Sequence, residues 1–482
     1  MRILVALASL LAFAGCPSQG AYTGPPIGQL YYPTGIVHVD RPGNEHGLLF
    51  VANANFDKRF ATGSVVGFDL ARVQGLPPFG AYDPAVGPVQ LPTLGIQSDA
   101  VVQVASFAGE MAAIETRDGG VRLYVPSRSE GNKLHAIDVA IGADDQPKLT
   151  CVLPPGADPE ASLTDCASTA PSLTEFEFDE DALPRAPAPF GVAVRRRACT
   201  TEVDCGAGRA CVAGLCVDAK GDAFGDVWVT HLTQADSPLA SGKNLRGYGV
   251  HLQTDALDVP SAGYFELGPG ATSSVAIGKK YAFFSGRYNS VTGYANLVRL
   301  VERTGVVWSA GLEFSYRVAE SRGLALSSDE KRLYLVGRAP DTLIVVNVTE
   351  TAAGPSLKVV RAVPLPDGAN ELRVLPRPGR SDLVAVTCVT GGVLVLYDDD
   401  VGDLVAQVQG VGLQSFGLAV SMRPPGARLY ATNFSDGRVA VIDIPDLNRP
   451  QEARIAAHLG AQQLCLTRGQ NTPGCQGTGV TP

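Results

Sequence analysis

The chain has 482 residues, of which 45% are hydrophobic and 18% charged, a composition that excludes disorder as the main state and allows a large buried core. Asp and Glu (48) outnumber Lys and Arg (39), giving a net charge of -9, which argues against a general nucleic-acid binder because that function needs a basic face. The 54 glycines and 34 prolines exceed the roughly 7% and 5% of average usage and show no collagen-like period, so they read as many turns.

Residues 1–15 read as a signal peptide. Met1–Arg2 supplies a positive charge, and Ile3 to Ala14 is an unbroken small and apolar run. That run matches a secretory h-region and is too short to span a bilayer easily. The end, Ala12-Phe13-Ala14-Gly15-Cys16, resembles the lipobox of bacterial lipoproteins, with Phe13 where Leu is usual. The resemblance implies lipidation of Cys16, a tether over 16–30, and an exported protein of the bacterial envelope, as an outer-membrane lipoprotein held by its N-terminal lipid. The alternative is an ordinary signal peptide cut near Ala14 or Gly15. No other segment approaches the ~20 apolar residues of a membrane-spanning helix.

A repeat runs along residues 31–460. LLFVANANFDKRFATGSVVGFDL carries Phe50 and a closing Asp69; RLYVPSRSEGNKLHAIDV carries Tyr124 and Asp138. The poorest copies surround Trp228 and Phe283. RGLALSSDEKRLYLVGRAPDTLIVVNV carries Tyr334 and Asn347, DLVAVTCVTGGVLVLYD carries Val384, and FGLAVSMRPPGARLYATNFSDGRVAVIDI carries Tyr430 and Asp443. Each unit alternates short apolar strands with Gly, Pro or polar turns. The later anchors recur at the ~40–50 residues of a four-stranded propeller blade, and the first two gaps require insertions. A small amphipathic sheet cannot bury both faces alone, whereas closing units into a ring buries them. The expectation is an all-β, seven-bladed β-propeller. A β-sandwich pair or a β-helix accounts less well for the near-constant repeat.

RLYATNFSDGRVAVIDI resembles the YVTN β-propeller repeat, also seen in lactonase-like propellers. The likeness is strong from Tyr430 to Asp443, fair at Tyr334 and Tyr124, and degenerate elsewhere. It implies a fold, not an activity.

Two insertions carry five of the ten cysteines. The first, 154–189, belongs to a stretch containing Asp158, Glu160, Asp165, Glu175, Glu177, Asp179, Glu180 and Asp181. It reads as a solvated acidic loop on the face of the b–c turns, pinned by Cys151–Cys166. A Ca2+ site in FEFDEDA lacks the Gly turn and ligand spacing of an EF-hand loop. The second, 197–222, contains Cys199, Cys205, Cys211 and Cys216 and projects from the opposite face. Disulfides are expected, because the chain is exported and the spacing lacks the knuckle of most four-Cys zinc sites. The pairing stays open among three connectivities; alternate pairing is one. Cys465 and Cys475 read as a further pair in the tail 461–482, and Cys388 as a free thiol inside a blade.

The sequence contains no nucleophile elbow, phosphate loop or nucleotide fingerprint. Its histidines (His38, His46, His135, His231, His251, His458) form no ligand pair, so no metal or cofactor is assigned. The stronger pattern is an arginine opening the b–c turn of several units: Arg128, Arg287 and Arg338. Arg322, Glu371 and Asn433 are placed on the same face, with Arg59, Tyr288, Asn289 and Asp436 nearby. Such an arc suits a carboxylate or phosphate, or the acidic loop of the same chain. The functional expectation is a non-catalytic binding or scaffolding module, with an envelope protein or an anionic ligand as partner. The alternative is a propeller enzyme with a lactonase-like or other hydrolytic site in the channel mouth.

Overall fold

In a computed structural model, the described residues are 24–463 except 42, 83–84, 117–119, 130, 143–145, 154–162, 171–187, 219–223, 233–234, 237–244, 255–262, 268–269, 288–297, 303–306, 309–316 and 353. Cys16, Cys465, Cys475, Tyr288, Asn289 and most acids of the first insertion lie outside them.

Seven antiparallel sheets follow one another along the chain, each running from an inner strand a to an outer strand d, and they form a seven-bladed β-propeller. The inner strands are Pro33–Arg41, Ala112–Glu115, Pro189–Arg196, Thr272–Ile277, Glu320–Leu326, Ala369–Leu375 and Ser415–Arg423. The b strands are Asn44–Asn53, Val121–Ser127, Gly225–His231, Tyr281–Gly286, Arg332–Arg338, Leu383–Cys388 and Gly426–Asn433. They are nearly continuous buried runs, as expected of strands covered on both sides by neighbouring blades.

The sequence anchors fill the spaces between blades. Tyr334 packs with Val384 and Tyr397 of blade 6, Trp228 with Phe284 of blade 4, and Tyr430 with Ile36 and Phe50 of blade 1. One anchor is corrected. Tyr430 faces Val441, two residues inside the pair Arg428 and Asp443. The equivalent pair in blade 6 is Leu383 and Asp398, so the counterpart of Tyr430 is Ala385. Ala385 packs toward blade 7, whereas Val384 packs toward blade 5. A one-residue shift in a strand exchanges its two faces.

Ring closure rests on a repeated irregularity. Six inner strands carry a register shift at their start, between Pro33 and Ile36, Pro189 and Val192, Thr272 and Val275, Ser321 and Leu324, Ala369 and Leu372, and Ser415 and Leu418. The shift frees a backbone N–H that a strand-b hydroxyl accepts: Gly191 donates to Thr230, Ser274 to Ser285, Glu371 to Thr387 and Gly417 to Thr432. Thr230 then donates to Ser273 O of blade 4 at 2.9 Å, and Thr432 to Thr34 O of blade 1 at 2.9 Å. The remaining joints are made by Thr34 on Ala108 O, Glu110 N–H on Phe190 O, Ser273 on Ser321 O, Arg338 on Ala369 O and Asn370 on Phe416 O. The approach is so close that a Cβ on Gly417 would lie 2.3 Å from Thr34 O.

The first insertion predicted by anchor spacing falls between strands c (Gly63–Asp69) and d (Val101–Val104) of blade 1. From it, Val89–Leu91 pairs in parallel with Arg454–Leu459, the outer strand of blade 7. The segment straps the first blade to the last. Cys151–Cys166 closes a loop behind blade 2, where Gln103 N–H donates to Thr164 O. The second Cys insertion leaves blade 3 between strands a and b. Cys199–Cys211 and Cys205–Cys216 are paired, the alternate connectivity, around Phe224 and a short hairpin, Ala210–Val212 with Leu215–Val217. These four sulfurs are therefore spent in disulfides rather than held as thiolate ligands. Cys388 is a buried free thiol.

Candidate functional site in the channel mouth

Described residues at the b–c connections of blades 1, 2, 5, 6 and 7 gather around one end of the channel. There a cavity of about 250 Å³ is lined by Arg128, Arg322, Arg338, Asn370, Gln414 and Thr34 together with Phe56, Phe190, Phe416 and Phe434. Arg128 and Arg287 directly follow strand b of blades 2 and 4, and Arg338 ends strand b of blade 5. Arg322 projects from inner strand Glu320–Leu326.

Four guanidinium groups act on one another here. Burial lowers the Arg322 pKa to about 10; Glu320 opposes that shift, and Arg338, Arg287 and Arg128 add to it. Arg128 is also lowered, by burial and then by Arg287. Arg338 is lowered chiefly by burial, with Glu320 and Asp341 opposing. One carboxylate, Glu320, is shared between Arg322 and Arg287, the latter at 3.2 Å. Arg338 spends its donors on the Ala369 and Gly368 carbonyls and the Asn370 side chain. Arg128 lies 5.6 Å from both the Phe107 and Phe190 ring centres, and its buried Nε has no hydrogen-bond partner among the described residues. Among the described residues, the mouth holds four guanidinium groups against two nearby carboxylates, Glu320 and Asp341, in a chain of net charge -9.

Glu371 belongs to a smaller space below the mouth, lined also by Glu110, Ser273, Ser274, Arg322 and Asn370. Burial, followed by the charge of Glu371, holds the Glu110 carboxyl well above the usual carboxylate range. Arg373 pairs with Glu371. Sequence reasoning missed Glu110 because its unit has the plainest inner strand; the signal was an acid at the inner-strand position that Glu371 occupies in blade 6.

The other candidates lie elsewhere. Asn433 is buried in blade 7, donating to Val411 O and accepting from Ser415, so both its polar ends serve the blade. Asp436 pairs with Arg438 at 2.9 Å, and Arg59 with Asp57 at 3.4 Å. No histidine is among the cavity-lining residues described. His135 accepts from Ala105 N–H, His251 stacks on Trp228 beside Asp226, and His38 stacks on Tyr430.

The aromatic side of the mouth was not anticipated. Phe190, Phe416, Phe434, Phe56 and Phe107 form an unbroken series, with ring centres 5.6, 6.1, 5.3 and 5.3 Å apart. These rings come from blades distant in sequence, so no local pattern announced them.

The fold and mouth together define a seven-bladed propeller with a basic, aromatic-lined opening. No protein family matches the chain, and no curated protein does. Among solved structures it is similar to Kuenenia stuttgartiensis hydrazine synthase (14% identity over 89% of this chain and 99% of that one, TM-score 0.46). It is also similar to the Cps50 (Swd1) β-propeller domain of Myceliophteria thermophila (12%, 86% and 98%, 0.45) and to AztD from Citrobacter koseri (10%, 90% and 94%, 0.40). These likenesses are too distant to carry a function to this chain.

Proposed function

We propose that this chain is an exported, lipid-anchored propeller of the YVTN type that binds an anionic ligand at its channel mouth without transforming it. The observation that carries the reading is the imbalance among the described residues of the mouth: Arg128, Arg287, Arg322 and Arg338 against Glu320, shared by two of them, and Asp341 beside Arg338. Like charges in a partly enclosed space favour an added anion, and a shielded charge-assisted hydrogen bond contributes about 1.5–3 kcal/mol. The export reading is supported by the Ile3–Ala14 run ending at Cys16 and by the three disulfides. The anchoring membrane is the outer membrane, and the ligand is either free or displayed by another envelope protein.

The test is calorimetric titration of the Cys16→Ser chain with inorganic phosphate and acetate. Binding by the native mouth that weakens at least tenfold in Arg128→Gln/Arg322→Gln, two lining residues that make none of the joints between blades, with a folded ring by circular dichroism, supports the reading. Equal binding by both proteins, or none by either, contradicts it.

A second reading, a hydrolytic enzyme, is favoured by one feature. Glu110 and Glu371 place a proton-holding carboxyl beside a second, Arg-paired carboxyl under the mouth, the unequal pair that acid–base catalysis uses. Hydrolysis of a lactone by the intact chain that is lost in Glu110→Gln would establish it; hydrolysis equal in both proteins, or absent from both, counts against it.

A further inference from the structure

We infer that the ligand of the mouth is an aromatic carboxylate of one or two rings, its flat face against the phenylalanine series and its charge toward the arginines. The inference rests on the anion-binding reading above and specifies the chemistry of the anion.

The lining divides by blade: Phe56, Phe190, Phe416 and Phe434 come from blades 1, 3 and 7, and Arg322 and Arg338 from blade 5. Arg128 sits at the junction, over the faces of Phe107 and Phe190, so the series of five rings is closed by a cation. A mineral anion would be served by the arginines alone and would leave the rings in water. Phe56 is 48% exposed, and Phe416 and Phe434 are only partly covered. Rings of this kind gain most from a flat apolar partner, through offset or edge-to-face contact. The volume, about 250 Å³, limits that partner to a small ring system. The polar groups left in the lining, Asn370, Gln414 and Thr34, are few, so a sugar-like ligand with many hydroxyls would find too few partners.

The chemistry predicts a two-part signature. The probes are 2-naphthoate, its neutral analogue 2-naphthamide, acetate and phosphate, titrated into the Cys16→Ser chain by calorimetry. 2-Naphthoate is expected to bind at least tenfold more tightly than each of the other three. Phe416→Ala should weaken 2-naphthoate at least fivefold and leave phosphate unchanged, while Arg322→Gln should weaken both. Phe416→Leu, which keeps volume beside Phe190, should fall between Phe416→Ala and the native protein and serves if Phe416→Ala does not fold. Phosphate or acetate binding as tightly as 2-naphthoate would overturn the inference and leave the anion-binding reading standing. Equal binding of 2-naphthamide would overturn it as well. No binding by any probe would overturn both.

Discussion

Arg428 and Asp443 face each other across strands b and c of blade 7 and form a bidentate pair, Nε to Oδ1 at 2.6 Å and Nη2 to Oδ2 at 2.8 Å, with both side chains buried. The pair also holds the strap from blade 1. Arg428 donates to Pro77 O, and Asp443 accepts the Gly80 N–H. Arg122 and Asp138 occupy the same register in blade 2, but Asp138 is 42% exposed. One motif thus serves as a fully buried clasp at the ring seam and as a half-buried pair elsewhere, where Arg122 also donates to Thr254 O of blade 3.

Replacing Arg428 by Met leaves Asp443 buried without its cation and should cost about 3–5 kcal/mol. Arg122→Met in the equivalent, more exposed pair should cost about 0–1 kcal/mol. Urea unfolding of the two variants checks the contrast. Equal losses would mean that the strap adds nothing to closure.

The buried histidines set the acid limit of stability. Burial lowers His135 to about 3; burial with Arg197 lowers His251 to about 4, and burial with Arg438 lowers His458 to about 4. Each is neutral when folded and takes up a proton more readily when unfolded. The unfolded chain therefore binds more protons below about pH 6.5, and the stability present above that pH is lost as pH falls toward 4. Each group should contribute about 1–2 kcal/mol of loss by pH 5. Thermal unfolding across pH 4 to 8 reads the slope, and His135→Gln should flatten part of it.

Glu110 has the opposite sign. Its raised carboxyl keeps a proton when folded that the unfolded chain has released, so its contribution is full below about pH 4.5 and declines as pH rises. Glu110→Gln should gain stability relative to the native protein between pH 5 and pH 8. A difference that stays constant over that range, measured by urea unfolding, would show that the proton is not held there.

Peptide mapping without reduction should recover Cys151–Cys166, Cys199–Cys211 and Cys205–Cys216, together with the Cys465–Cys475 pair expected from sequence. Removing Cys151–Cys166 by a double Ala variant should cost about 3 kcal/mol, the scale for a loop of this length. Cys388 is buried and its thiol is pushed up to about 12, chiefly by burial, so it should react with alkylating agents only after unfolding.

The blade repeat was legible because its strands, turns and buried aromatic anchors are local. The pairing of Arg122 with Asp138 and of Arg428 with Asp443 was also within reach: each arginine stands two residues before its anchor, and each acid closes the next strand. Val384 was misplaced by one residue because an apolar run such as LVAVTC gives no alternation to fix its faces. The placement of Arg128, Arg287 and Arg338 was legible because they share one blade position, and Arg128 and Arg338 line the cavity together with Arg322. The phenylalanine series and the Glu110–Glu371 pair were not legible, because the ring brings them together from different blades.

A crystal structure of the Cys16→Ser chain grown with 2-naphthoate would show whether the mouth holds an aromatic carboxylate. Density for the ligand is expected in the mouth, its carboxylate among Arg128, Arg322 and Arg338 and its rings against Phe190 and Phe416. A mouth filled by the chain's own acidic residues 158–181, or arginines pointing apart into solvent with no anion between them, would contradict it.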